Sequence, residues 1–176
     1  FWLLRHRTIM DIAAKLGYTF RTCALKDIPV ANSTLPRFPL PIVKSGRLLP
    51  ALKKISFLNK YPENISTKGK RKVAVFIGCM GNYSYTEIGD ALVDVLKHLE
   101  IDAFIPKNQV CCGAPAYFTG DFETVDALIK KNIVDFEKWI DDVEGVIIPE
   151  ATCSSMVNND WIHFLHDQPE WIARAQ

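Results

Sequence analysis

Several absences set the first limits on this 176-residue chain. No apolar run approaches the ~20 residues that a membrane-spanning helix needs. The opening Phe-Trp-Leu-Leu-Arg-His-Arg is too short for a secretory signal, and its arginines follow the apolar part instead of preceding it. No Ser-His-Asp arrangement, P-loop or G-x-G-x-x-G occurs, so no independent hydrolase or dinucleotide site is legible. Histidine is scarce: His6, His98, His163 and His166 all lie far in sequence from the cysteines. His163 and His166, three apart on one helix, could pair on a metal, but surface placement is the simpler reading. The close C-x₂-C spacing of zinc ribbons is missing too.

What is present begins with five cysteines, an odd number, two of them adjacent. Adjacent cysteines rarely bridge to each other, and a domain this long can bury a core without staples. With no export signal, thiolate ligands in a reducing, cytoplasmic compartment are favoured over a disulfide framework. The chain has no initiator Met and stops within a helical pattern over residues 170–176, so the expectation is a fragment cut at both ends.

The net charge of +1 hides an asymmetry. Residues 1–72 carry 15 Lys or Arg against three acids, whereas residues 73–176 carry six against 17. A basic segment can mean nucleic acid or anionic lipid. Here the cations are scattered among prolines and bulky apolar residues, which points instead to packing on an acidic surface, including that of the chain's own second part. Nucleic acid is not expected as a partner.

Two regions are expected, a helical and proline-rich basic connector over 1–71 and a cysteine-rich domain over 72–176. Ile9, Ile12, Ala13 and Leu16 form a helical stripe that Gly17 is expected to end, with Cys23 beyond it as a partly buried free thiol. Six prolines between Pro29 and Pro62 leave room only for short helices, the best over 48–58, within an extended connector. The apolar cluster over 35–42 would dock it, and residues 64–72 read as an exposed loop.

Residues 73–77 (Val-Ala-Val-Phe-Ile) form a continuous β-branched run, as expected of a strand covered on both faces. Ser84 and Glu87 read as a capping box opening a helix with Ile88, Ala91, Leu92, Val95, Leu96 and Leu99 on its apolar face. A second short strand, 103–105, precedes Cys111-Cys112-Gly113. Gly120-Asp121 opens a further helix with Val125, Leu128, Ile129, Phe136, Trp139 and Ile140 apolar; Asn132 interrupts that face and reads as a satisfied interior polar group. Residues 145–149 make the third strand, a loop carries Glu150 and Cys153, and residues 155–165 a last helix. The predicted fold is α/β, a three-layer Rossmann-like parallel sheet with helices on both faces.

In such a sheet ligands sit beyond the carboxyl ends of the strands. Cys79 lies 32 positions before Cys111, and Cys153 lies 41 after Cys112, each beyond a strand. Four thiolates meeting there suit an iron–sulfur cluster or zinc. Unligated buried cysteines are the bland alternative. Gly78 and Gly113 would shape the turns beside the sulfurs, and Pro115 would stiffen one of them. Glu150 could ligate, but a solvated or helix-capping acid is the simpler reading.

Gly78-Cys79, Cys111-Cys112-Gly113-Ala114-Pro115, Gly120-Asp121, Lys131-Asn132-Ile133, Phe136 and Ala151-Thr152-Cys153 together resemble the cysteine-rich CCG domain. That domain occurs in heterodisulfide reductase, in the iron–sulfur subunit of glycolate oxidase and in the iron–sulfur protein of lactate utilisation. The resemblance covers residues 72–176, a single copy where two are usual. Heterodisulfide-reductase-type copies carry C-x-x-C in the last loop; here Glu150 takes the first of those places, which sets this chain closer to the lactate and glycolate members. The resemblance implies that Cys79, Cys111, Cys112 and Cys153 hold one cluster, of [4Fe-4S] type, with zinc as the alternative metal. It implies an iron–sulfur electron-transfer module of a hydroxy-acid-oxidising complex, with a flavin-containing oxidase subunit and other iron–sulfur subunits as partners and a quinone or other carrier as acceptor. Such a complex would sit in the cytoplasm or at the inner face of the membrane. A thiol–disulfide reductase subunit and a zinc-stabilised docking domain are the competing readings.

Overall fold

The computed structural model describes residues 2–29, 32–38 and 46–176. Among these no helix is long and apolar enough to cross a membrane. A 3₁₀ turn, Trp2–Arg5, leads into α1 (Arg7–Ala24). β1 (Leu25–Ile28), β2 (Ser33–Pro36) and β3 (Leu49–Pro50) then form an antiparallel three-stranded sheet. A single turn, α2 (Phe57–Lys60), and the short β4 (Asn64–Ile65) lead to β5 (Arg71–Val75). There follow α3 (Gly78–Tyr83), α4 (Thr86–His98), β6 (Ile101–Phe104), α5 (Ala114–Tyr117), α6 (Phe122–Phe136) and β7 (Val146–Ile147). The chain closes with α7 (Ala151–Ser155), a π-helical turn Met156–Asp160, α8 (Trp161–Phe164) and α9 (Pro169–Ala175).

The α/β layering is as expected. β6, β5 and β7 lie parallel in that order, and β4 adds an antiparallel edge against β6. Alternation along residues 73–77 divides the core. Val73, Val75 and Ile77 point into a cluster with Phe57, Val93 and Leu96, whereas Phe76 points into one with Leu128, Ile129, Met156 and Trp161. Each face of the sheet is thus covered by helices.

Several local expectations give way to tertiary contacts. Gly17 does not end α1, which runs seven residues further; a Cβ there would lie 2.8 Å from Leu52 Cδ1, so the glycine serves close approach. Cys23 is exposed on the last turn of α1. Residues 48–58 hold β3 and the start of α2 in place of a helix. Residues 64–65 pair as β4 because a backbone edge of β6 lay open to them. The docking expectation for 35–42 falls half outside the described residues, at 39–42. The capping box is absent: Tyr85 is the N-cap of α4 without a side-chain bond, and Glu87 instead meets Asn32 and Lys53. The buried stripe of α4 is rotated to Gly89, Val93 and Leu96, with Ile88, Val95 and Leu99 exposed. Gly89 sits in that stripe, and a Cβ there would stand 2.5 Å from the Phe57 ring, so the glycine admits the ring against the helix. Trp139 and Ile140 fall beyond the end of α6.

Ion pairs tie the basic first part to the acidic second: Arg5–Glu123, Lys53–Glu87, Lys60–Asp90 and Arg71–Glu144.

Candidate metal centre

Three loops leave the carboxyl ends of β5, β6 and β7, and each carries cysteine. Cys79 lies in the first turn of α3, Cys111 and Cys112 precede α5, and Cys153 lies in α7. Cys111, Cys112 and Cys153 are buried, Cys79 is half-buried, and none is bridged. The Cys111 thiol donates to the Cys79 sulfur at 3.8 Å. Cys112 interacts with both Cys111 and Cys153, so the four thiols form a chain of neighbours.

Backbone shape makes this possible. Gly78 has φ +68°, and a Cβ at that position would stand 2.7 Å from Cys153 Sγ. Glycine therefore admits the third loop's sulfur against the first loop. Gly113, at φ +101°, turns the chain from the cysteine pair into α5, where Pro115 occupies the first turn. Glu150 is the N-cap of α7 and accepts from the Cys153 backbone N–H at 2.7 Å. Burial pushes its carboxyl up, but bonds from the Cys153 and Thr152 N–H groups outweigh this and hold it below the usual range. Its place is that of the capping acid.

Three buried polar side chains stitch the loops, and sequence reasoning gave a role in the site to none of them. Asn132 accepts from Val110 N–H and donates to Cys111 C=O, both at 3.0 Å. Gln109 accepts from Ile77 N–H at 2.8 Å and donates to the carbonyls of Val75 and Pro106. Trp161 donates its indole N–H to Cys112 C=O at 2.9 Å. A polar side chain set within an apolar helical face was the available signal for Asn132. The π-helical turn before Trp161 changes the helical phase and delivers that indole.

The Cys79, Cys111 and Cys112 thiols are all pushed up. The bond from Cys111, then burial, pushes the Cys79 thiol far up. The bond with Cys112, then burial, pushes Cys111 up to about 12. At Cys112 the bond with Cys111 lowers the value, but the Cys153 contact and burial raise it more. A cation is the group that would make thiolates stable here. Soft donors from three loops fit a thiophilic metal or iron–sulfur group. Among the described residues no three His, Cys, Asp or Glu side chains already converge on a single-ion position. His163 and His166 stack, exposed, with ring centroids 6.3 Å apart.

Residues 73–158 match the cysteine-rich domain family CCG. Lactate utilization protein A of Bacillus cytotoxicus is 37% identical over 105 residues, 60% of this chain and 42% of the relative. Proteins of that name from Bacillus thuringiensis and Bacillus cereus are 36% identical over the same shares. The chain spans less than half the length of these curated relatives. No solved structure matches it with significance.

Proposed function

Residues 73–158 are a cysteine-rich CCG domain, and from that premise we propose that the chain is an iron–sulfur electron carrier in hydroxy-acid utilisation. Lactate is the first candidate, from the names of the relatives, and glycolate the second. Cys79, Cys111, Cys112 and Cys153 would hold the cluster, and a flavin-bearing subunit would donate the electrons. The observation that carries the reading is the meeting of four thiols from three loops at one sheet edge, with the Cys79 and Cys111 sulfurs 3.8 Å apart.

When bound, such a cluster supplies one-electron transfer at a potential set by its surroundings. The chain's own part is to hold, shield and orient. Asn132, Gln109 and Trp161 fix the loop backbones, so that the sulfurs keep their spacing through a change of charge. Met156 and Val125 close the floor behind Gly113, and burial of three cysteines excludes water.

Zinc remains the second reading on one specific ground. Two thiolates on a tetrahedral zinc, with Zn–S near 2.3 Å, stand ~3.8 Å apart, which is the Cys79–Cys111 separation. Iron, zinc and acid-labile sulfide content of protein purified without oxygen separates the two. About four iron and four sulfide per chain support the cluster; stoichiometric zinc without sulfide refutes electron transfer. Cys79→Ser and Cys112→Ser should lose the metal while Cys23→Ser, on exposed α1, retains it. Equal loss at Cys23 would refute the ligand set.

A further inference from the structure

A groove of about 1050 Å³ runs between the start of α1, the turn after α2 and the second half of α6. Its walls are cationic. Arg7, Lys107, Lys130, Lys131 and Lys138 face it, against Asp11 and Asp135. Arg7 is paired with Asp11, Lys130 with Asp126, and Lys138 with Asp135. Among the described residues, Lys131 and Lys107 bond only to backbone carbonyls, Lys131 to that of Arg5 and Lys107 to those of Leu58 and Tyr61. Burial pushes the Lys107 ammonium down and the charge of Glu63 partly restores it. The groove thus keeps an unneutralised positive charge. Between the cations lie apolar contacts: Ile9 and Val134, both 39% exposed, and Trp171, whose ring carries Lys130 at 5.3 Å.

The position of the groove matters as much as its charge. Arg7 and Leu58 form its wall and also line a small cavity, about 30 Å³, that reaches Cys79 and Cys111. Whatever lies in the groove is therefore one side chain away from the sulfurs.

We propose that this groove docks an acidic, partly apolar segment of a redox partner protein. The proposal rests on the electron-transfer reading for the partner's role, and on charge and shape for its chemistry. The groove is at the upper limit of small-ligand pockets and open along its length, which suits a chain segment. Electron-transfer encounters are small and steered by complementary charge, so a short acidic segment on a basic groove suffices.

The test uses a fluorescein-labelled peptide of Glu, Leu and Gly, titrated with the full chain and followed by anisotropy. Binding should weaken about tenfold when NaCl is raised to ~0.2 M, where exposed charges are screened beyond ~8 Å. Lys131→Glu with Lys138→Glu should weaken it by at least about tenfold, and Lys97→Glu, on the far helix α4, should leave it unchanged. The double glutamine variant, which removes charge without reversing it, guards against misfolding and should show an intermediate loss. Several results would overturn the proposal: equal loss in Lys97→Glu, equal binding of a peptide with Lys for Glu, or equal competition by duplex DNA. A salt-sensitive dimer dissolved by the double variant would assign the groove to a second copy and overturn it too. Iron and sulfide are measured on every sample. Peptide binding by chains unable to hold iron refutes the electron-transfer reading and keeps the docking site; iron-loaded chains that ignore the peptide refute the docking site alone.

Discussion

Replacing Gly78 by alanine tests how the candidate metal centre is built. Two costs can be separated. The backbone at position 78 has φ +68°, and an L-residue in that region costs roughly 1–2 kcal/mol. The added Cβ would stand 2.7 Å from Cys153 Sγ, about 1 Å inside an ordinary contact near 3.5–4.0 Å. Relieving that overlap in a packed interior costs a further ~1–3 kcal/mol. The expected loss is therefore about 2–5 kcal/mol in unfolding free energy. Gly120→Ala is the internal control. Its φ is +80° but nothing lies within 4 Å of a Cβ there, so only the backbone cost of about 1–2 kcal/mol applies. Urea denaturation of the two variants gives the difference, provided the slopes agree. Cys153 has one escape, rotation about χ1, which would carry its sulfur away from Cys112 and reduce the stability loss at the expense of the site. Metal content is for that reason the second readout: Gly78→Ala should hold markedly less metal, Gly120→Ala a normal amount. If Gly78→Ala matches Gly120→Ala in both stability and metal content, the close approach of the first and third loops does not constrain the site.

Asn132→Ala should be strongly destabilising, because Val110 N–H and Cys111 C=O are left unpaired in the interior; at ~1–3 kcal/mol for each group, the loss is about 2–6 kcal/mol by urea denaturation. Metal retention should fall in parallel, since the Cys111 backbone loses its anchor. Asp102 gives a pH test. Bonds from the Thr67 N–H and hydroxyl hold its carboxyl below the usual range. Its stabilising effect is therefore fully present above the ordinary aspartate pKa of about 3.9 and lost as pH falls through the lower folded value. The stability difference between wild type and Asp102→Asn should be constant near neutrality and close in acid; a difference that grows in acid would refute the assignment. Glu150→Ala should cost about 1 kcal/mol as an ordinary N-cap loss and leave a metal-binding chain; loss of metal with little change in stability would instead make Glu150 a ligand.

The parts of the molecule that were legible in the sequence share a physical feature: their signal is local. Residues 73–77 read as a two-sided strand because β-branched residues follow one another without a polar break, and the structure divides them between two cores. Asp121 was legible as a helix start, and its carboxylate does accept from Thr124 N–H. The cysteine loops could be assigned to one edge because every parallel strand in a right-handed βαβ arrangement ends on the same side. Where the signal depended on a distant partner, it failed. Local periodicity does not show that the Phe57 ring lies against Gly89 in the buried stripe of α4, and Gly17 reads locally as a stop because its close neighbour Leu52 is 35 positions away.

By itself, then, the sequence determined the layers, the edge and the cysteines that gather there, since these follow from alternation, chain direction and residue chemistry. Only the tertiary structure decided which sulfurs are neighbours, which glycine the packing requires, and which buried amides hold the loops. Those depend on distances between residues far apart in the chain, and no local pattern encodes them.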